Sequence, residues 1–196
     1  MVRPRRTHAE RRAETRARLL VAAREAFVRD GYAATSMDAL CAAAGLTRGA
    51  LYHNFGGKEG LFEAVVREID AEIAERLMAL PAESDAWRAF RAGCQAYLRE
   101  ALDPEVRQVV LRDAPAVLGQ HLRDLDAEGS IAPLTEALRA LMEAGRIRTA
   151  DAETLARLLN GAMLDAALWI AAEPDTDAAL ARASAALDVL LDGLQV

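Results

Sequence analysis

The chain has 196 residues, 53% hydrophobic and only 5% aromatic, with six prolines and few β-branched runs, which predicts an all-α protein. Its net charge of −6 argues against a nucleic-acid partner only until it is divided: residues 1–60 carry 11 Lys+Arg against 6 Asp+Glu, and residues 61–196 carry 13 against 24. A basic N-terminal third on an acidic remainder predicts a small nucleic-acid module joined to a larger helical body.

The first helix is expected from about Glu10 to Asp30, with Leu20, Ala23, Phe27 and Val28 on its apolar face and Gly31 as a stop. Ser36 can cap a second helix that buries Met37, Leu40 and Ala44. Gly45 and Leu46 form a turn, and Thr47 can cap a third helix that buries Ala50 and Leu51. A fourth helix starts near Lys58, carries Leu61, Phe62, Val65, Ile69, Ile73 and Leu77, and ends before Pro81. Ser84 is read as the start of a helix with Trp87, Phe90, Cys94, Tyr97 and Leu98. Asp103-Pro104 opens another with Val106, Val109 and Leu111, and Pro115 restarts the chain toward Leu118 and Leu122. Further helices are expected at 130–144, from Thr149 through Trp169 and Ile170, and after Glu173-Pro174-Asp175.

The apolar stretches are short and broken by charge, so no membrane span is expected. MVRPRRTHAERR lacks the apolar core of a signal peptide, and a cytoplasmic location is expected. Cys41 and Cys94 have no CxxC spacing, which predicts two buried free thiols and no zinc site; a redox role for Cys94 stays open.

Two short helices around a Gly-containing turn at residues 36–61 have the layout of a helix-turn-helix, whose second helix enters the DNA major groove. That helix offers Thr47, Arg48, Tyr52, His53 and Asn54, hydrogen-bonding residues rather than more core. Arg48 is the candidate for base readout, because a guanidinium pairs bidentately with guanine O6 and N7. Tyr52 and His53 suit phosphate contact, and Gly49 leaves room for a deep approach. Thr35, Ser36 and Thr47 can cap a helix and reach phosphate, and Lys58 adds an ammonium to a helix start. Arg3, Arg5, Arg6, Arg11 and Arg12 could reach a minor groove or add counterion-release affinity. Each has a structural alternative: Tyr52 packing against its own helix, His53 and Lys58 merely solvated, the Arg run a solvated tail.

The string Thr47-Arg48-Gly49-Ala50-Leu51-Tyr52-His53-Asn54-Phe55-Gly56-Gly57-Lys58-Glu59-Gly60-Leu61-Phe62 resembles the signature of the tetracycline-repressor (TetR) family. Ala26-Phe27, Gly31-Tyr32 and Thr35-Ser36-Met37 fit the same pattern, which covers about residues 12–65. Asn54 departs from it, standing where the family most often has His or Tyr. The resemblance implies a helix-turn-helix domain at 1–57 and a ligand-binding and dimerisation domain at 58–196. It also implies a homodimer on a palindromic double-stranded operator, released by a small-molecule effector of unknown identity, with no cofactor and no catalysis. A DNA-binding regulator whose C-terminal domain only dimerises or binds a protein partner is the alternative. Neither GxGxxG nor HExxH is present, and Gly56-Gly57-Lys58 runs into Glu59 rather than the Ser or Thr of a P-loop.

For an effector, Trp87, Phe90, Cys94, Tyr97, Met142, Met163 and Trp169 are candidate lining residues, with Arg112, His121 and Asp165 as polar anchors; an aromatic or Met at helical spacing is otherwise ordinary core. For a two-fold interface, Leu155, Leu159, Ala162 and Ala166 pair with Leu180, Ala183, Leu187 and Leu191 on the last two helices.

Overall fold

A computed structural model describes residues 7–196, apart from the side chains at 123 and 126–128; Arg3, Arg5 and Arg6 lie outside the described residues. The order is α1 (His8–Ala34), α2 (Met37–Ala44), α3 (Arg48–Phe55), α4 (Lys58–Met78), α5 (Ala86–Glu100), a π-helical segment (Val106–Asp113), α6 (Ala114–Leu118), α7 (Gln120–Asp126), a second π-helical turn (Ala127–Ile131), α8 (Ala132–Glu143), α9 (Ala152–Ala172) and α10 (Thr176–Asp192). Among the described residues there is no strand, only an isolated bridge of Ile147 with Gln195 that ties down the C-terminus. The fold is all-α.

Side-chain caps fix the starts. Ser36 accepts from the Ala39 amide at 3.1 Å and Thr47 from the Ala50 amide at 3.2 Å, as expected. Two later starts differ from expectation. Asp85, not Ser84, caps α5 through the Arg88 amide at 3.0 Å, and Asp151, not Thr149, caps α9 through the Thr154 amide at 2.8 Å. In both places a carboxylate takes the position, adding its charge to the partly positive helix start.

Gly31 breaks α1 rather than ending it. Its φ of 77° and ψ of 164° kink the chain, and the segment continues to Ala34. A Cβ there would stand 3.0 Å from Gln108 Nε2, so glycine serves both the backbone angle and a close approach by the C-terminal body.

The N-terminal core forms around Phe27, which packs edge-on to Phe62 of α4 with centroids 5.1 Å apart; Tyr32 joins at 4.9 Å from Phe62. Leu19, Leu40, Leu51, Leu61 and Val65 complete it, all buried. Beyond Val66, α4 turns its apolar stripe toward the body, where Trp87, Leu98, Val109, Leu138 and Ile170 are buried.

The membrane expectation needs one correction. Helix α9 is long and apolar enough to cross a bilayer by length and composition, with a mean hydropathy of 1.3 over its most apolar 18 residues. One side of it, Ala156, Leu159, Met163, Ala167 and Ile170, is buried in this fold, so part of that apolarity is core. The rest lies on the surface: Leu158 is 67% exposed and Trp169 39%.

Candidate nucleic-acid interface

Helix α3 is held from behind by Leu51, which is fully buried, and from the side by Arg16, whose guanidinium lies 4.5 Å from the Phe55 ring centroid. Arg18 of α1 donates to the Ala44 carbonyl at 2.6 Å, satisfying the end of α2. Thus α1 fixes both helices of the motif, and the outward face of α3 is free of packing duties.

That face carries Thr47, Arg48, Gly49, Tyr52 and His53, all exposed, with Ser36 exposed beside them at the start of α2. The Ser36 and Thr47 hydroxyls accept from backbone amides, which leaves each O–H able to donate to a phosphate. Tyr52 is 55% exposed, so its ring is not spent on its own helix. A Cβ at Gly49 would meet only Thr47 Oγ1, at 3.8 Å, so nothing within the chain demands glycine there.

Arg48 is exposed but not idle. Its guanidinium makes a two-pronged pair with Asp38 of α2, and the Arg48 side chain beside Asp38 holds that carboxyl below its usual range. The pair occupies the Nε–Nη2 edge of the guanidinium, so a base contact that keeps it falls to the remaining Nη1 and Nη2 hydrogens.

Three of the candidate residues turn inward. Thr35 is buried and donates its hydroxyl to the Gly31 carbonyl at 2.8 Å; it follows α1 rather than facing solvent. Lys58 is half-buried, donating to the Tyr32 carbonyl with its ammonium 4.1 Å from the Tyr32 ring centroid, and this burial pushes its pKa down. Its charge closes the joint between α1 and α4. Asn54 is half-buried and donates back to the Ala50 carbonyl at 2.8 Å. Sequence spacing placed these three in or beside the helix-turn-helix; only the folded module shows which way they point.

The candidate effector residues are not gathered into one place. Trp87 is buried and stacks on Phe90, with centroids 5.8 Å apart. Cys94 is buried and free, and burial pushes its thiol up to about 12, which opposes the thiolate a redox role requires. Tyr97 and Met142 are half-buried, and His121 is exposed on α7. Met163, Asp165 and Trp169 do meet, in a groove of about 390 Å³ between α9 and α10 that also takes in Leu98, Arg182 and Leu190. Arg112 lines a separate groove with Arg107 and Gln108, two residues that sequence reading passed over because they sit between core valines. Gln108 stands at i,i+4 to Arg112, which was an available signal; Arg107 stands at i,i+5 and joins them only through the π-helical winding of the segment. Among the described residues no group of three or more His, Cys, Asp or Glu could hold a metal ion.

The interface candidates also divide. Leu159, Ala183, Leu187 and Leu191 are buried in the monomer's own core, Leu155, Ala166 and Leu180 are half-buried, and Ala162 is exposed. The most exposed large apolar residues of α9 and α10 are Leu158, Trp169, Val189 and Leu190. Both helices alternate core and surface within a turn, so a Leu-rich sequence cannot say which Leu faces which way.

Two capped short helices, braced by α1 and α4 and presenting a polar outer face, define a helix-turn-helix DNA-binding module on a helical body. Residues 19–65 match the domain of bacterial regulatory proteins of the tetR family, and residues 87–194 match the tetracyclin repressor-like C-terminal domain. A crystal structure of a TetR-family transcriptional regulator from Pectobacterium atrosepticum is 48% identical, covering 97% of this chain and 98% of its own, with a TM-score of 0.87. The HTH-type transcriptional regulator UidR of Escherichia coli K12 is 28% identical over 169 residues, 73% of this chain and 85% of its own length. RolR, crystallised with resorcinol, shares the fold at 19% identity and a TM-score of 0.74, over 96% of this chain and 91% of its own. The chain belongs to the TetR family of DNA-binding transcriptional regulators.

Proposed function

We propose that the protein is a cytoplasmic, dimeric transcriptional repressor that binds a palindromic operator and leaves it when a small-molecule effector binds the helical body. The observation that carries this is the exposed polar face of α3, Thr47 to His53, held rigid by α1 and α4. Ser36, Thr47, Tyr52 and His53 would hold phosphates, Arg48 would read a base, and the amide groups at the start of α4 would assist. Thr35, Lys58 and Asn54 would act through the shape of the module.

One short helix reads too few bases for specificity, and two of them about 34 Å apart fit successive major grooves. The apolar surface of α9 and α10 supplies a surface on which two copies can pair, with Leu158, Trp169, Val189 and Leu190 at its centre. We assign the DNA-binding domain to residues 1–57 and the ligand-binding and dimerisation domain to 58–196, with α4 passing between them. The ligand found in RolR supports an effector role for this fold, and a coupling of about 1–3 kcal/mol would weaken operator binding roughly 5- to 150-fold.

The test is titration of fluorescent duplexes with the purified protein. Binding to the region upstream of its own gene should exceed binding to scrambled DNA at least about 1,000-fold and fall steeply with salt. Equal affinity for both duplexes would overturn the proposal.

A further inference from the structure

Several arginines of the acidic body close into ion pairs: Arg76 with Glu100, Arg91 with Asp188 and Asp192, Arg146 with Asp85. Arg107 and Arg112, which share one groove, do not. Among the described residues neither guanidinium meets a carboxylate, and Arg112 makes only a long 3.4 Å bond to Gln108 Oε1. The two line one open groove of about 580 Å³, together with Gln108 and Leu111 from the same π-helical segment and Leu168 and Ala171 from the end of α9. The volume is in the range of a small-ligand site. Its wall is divided, with two cations and an amide on one side and aliphatic carbons on the other.

We propose that this groove is the effector site, and that the effector is a small amphipathic organic anion, a carboxylate with an apolar tail or ring. The inference rests on the effector-responsive reading above and gives it a place and a chemical class. Arg107 and Arg112 clamp the carboxylate, since two guanidinium groups present forked donors that a lone anion satisfies. Leu111, Leu168 and Ala171 take the apolar part.

The same groove touches the DNA-binding module. Gln108 Nε2 donates to Asp113 Oδ2 at 3.1 Å, and that oxygen also accepts the Tyr32 backbone N–H at 2.7 Å. Tyr32 directly follows the Gly31 kink in α1, against which Gln108 packs. An anion that draws Arg112 and Gln108 toward itself takes a donor from Asp113 and loosens the contact that sets the direction of α1. Because α1 holds both α2 and α3, the change reaches the DNA face without passing through the core.

The experiment uses the full-length protein and four probes: sodium benzoate and sodium octanoate, with benzamide and octanamide as neutral counterparts. Binding is read by isothermal titration and release by anisotropy of the labelled upstream duplex. At least one carboxylate should bind about 10-fold more tightly than its amide and release the duplex. Arg107→Gln with Arg112→Gln should reduce that affinity about 10-fold or more while leaving duplex binding without probe within about 2-fold. The groove assignment is overturned if neither carboxylate outbinds its amide, or if the double variant binds it as tightly as the parent. The comparison of carboxylate with amide needs no variant, so a folding defect cannot obscure it. Failure of the parent protein to bind the duplex before any probe is added would sink the regulator reading itself, which is a separate outcome.

Discussion

Gly60 shows how a single position can carry a packing constraint that propensity opposes. It lies in the first turn of α4, where alanine would be preferred by about 1 kcal/mol. A Cβ at that point would stand 2.0 Å from the Phe55 carbonyl oxygen, a backbone atom that cannot swing aside. Gly60→Ala should therefore destabilise the protein by about 1–3 kcal/mol or more, seen as a lowered melting temperature by circular dichroism. Cys94 carries a second prediction. Its thiol stays protonated in the fold up to about 12, while an unfolded cysteine ionises near 8.5. Above that lower value the unfolded state gives up a proton that the folded state keeps, so stability is full below it and declines as pH rises. Urea unfolding of the parent relative to Cys94→Ala should show this loss at about 1.4 kcal/mol per pH unit from about pH 9 upward. A flat difference would mean that the thiol is not shielded. Asp38→Asn gives a third: freed from its pair, Arg48 should bind DNA several-fold more tightly at low salt, while Arg48→Ala should weaken operator binding roughly 5- to 150-fold.

Between elements, the joint of α1, α4 and the π-helical segment rests on Arg24. Its guanidinium is half-buried and reaches Glu72 of α4 at 2.7 Å and Glu105, just before the segment, at 2.6 Å, with Glu68 at 3.8 Å. Hydrogen bonds to Glu72 and Glu105 push the Arg24 pKa well up, and Arg24 in turn holds the Glu72 carboxyl below its usual range. Arg24→Ala would leave carboxylates facing one another and should cost about 1–3 kcal/mol in denaturant unfolding, less than a fully buried pair because Glu72 and Glu68 reach solvent. The Glu72 part of this stability is present above the ordinary glutamate range and is lost as pH falls through its lowered folded value. None of this was visible in sequence, since Arg24 and Glu105 are 81 positions apart. The helices themselves were legible: the periodicity of Leu61, Phe62, Val65 and Ile69 and the capping hydroxyls of Ser36 and Thr47 are local signals. The π-helical segment was not, because its extra residue per turn leaves no mark in composition.

For the whole molecule, the proposed dimer rests on the surface of α9 and α10. Leu158→Asp with Leu190→Glu alters residues that are 67% and 58% exposed, so the chain should fold with unchanged helicity. Light scattering after size exclusion should then report a monomer, and operator affinity should collapse because a single recognition helix remains. Leu191→Asp, by contrast, charges a fully buried core position and should unfold the chain. The sequence by itself determined the all-α class, the helix-turn-helix at 36–61 and its TetR resemblance, because helix periods, caps and a contiguous motif are all written within a few turns of chain. Only the tertiary structure decided that Thr35, Lys58 and Asn54 face inward, that Leu158 and Leu190 rather than Leu159 and Leu191 are left outside, and that Arg107 joins Arg112 in one groove. Which side of a helix is covered depends on what packs against it, and those neighbours come from distant parts of the chain.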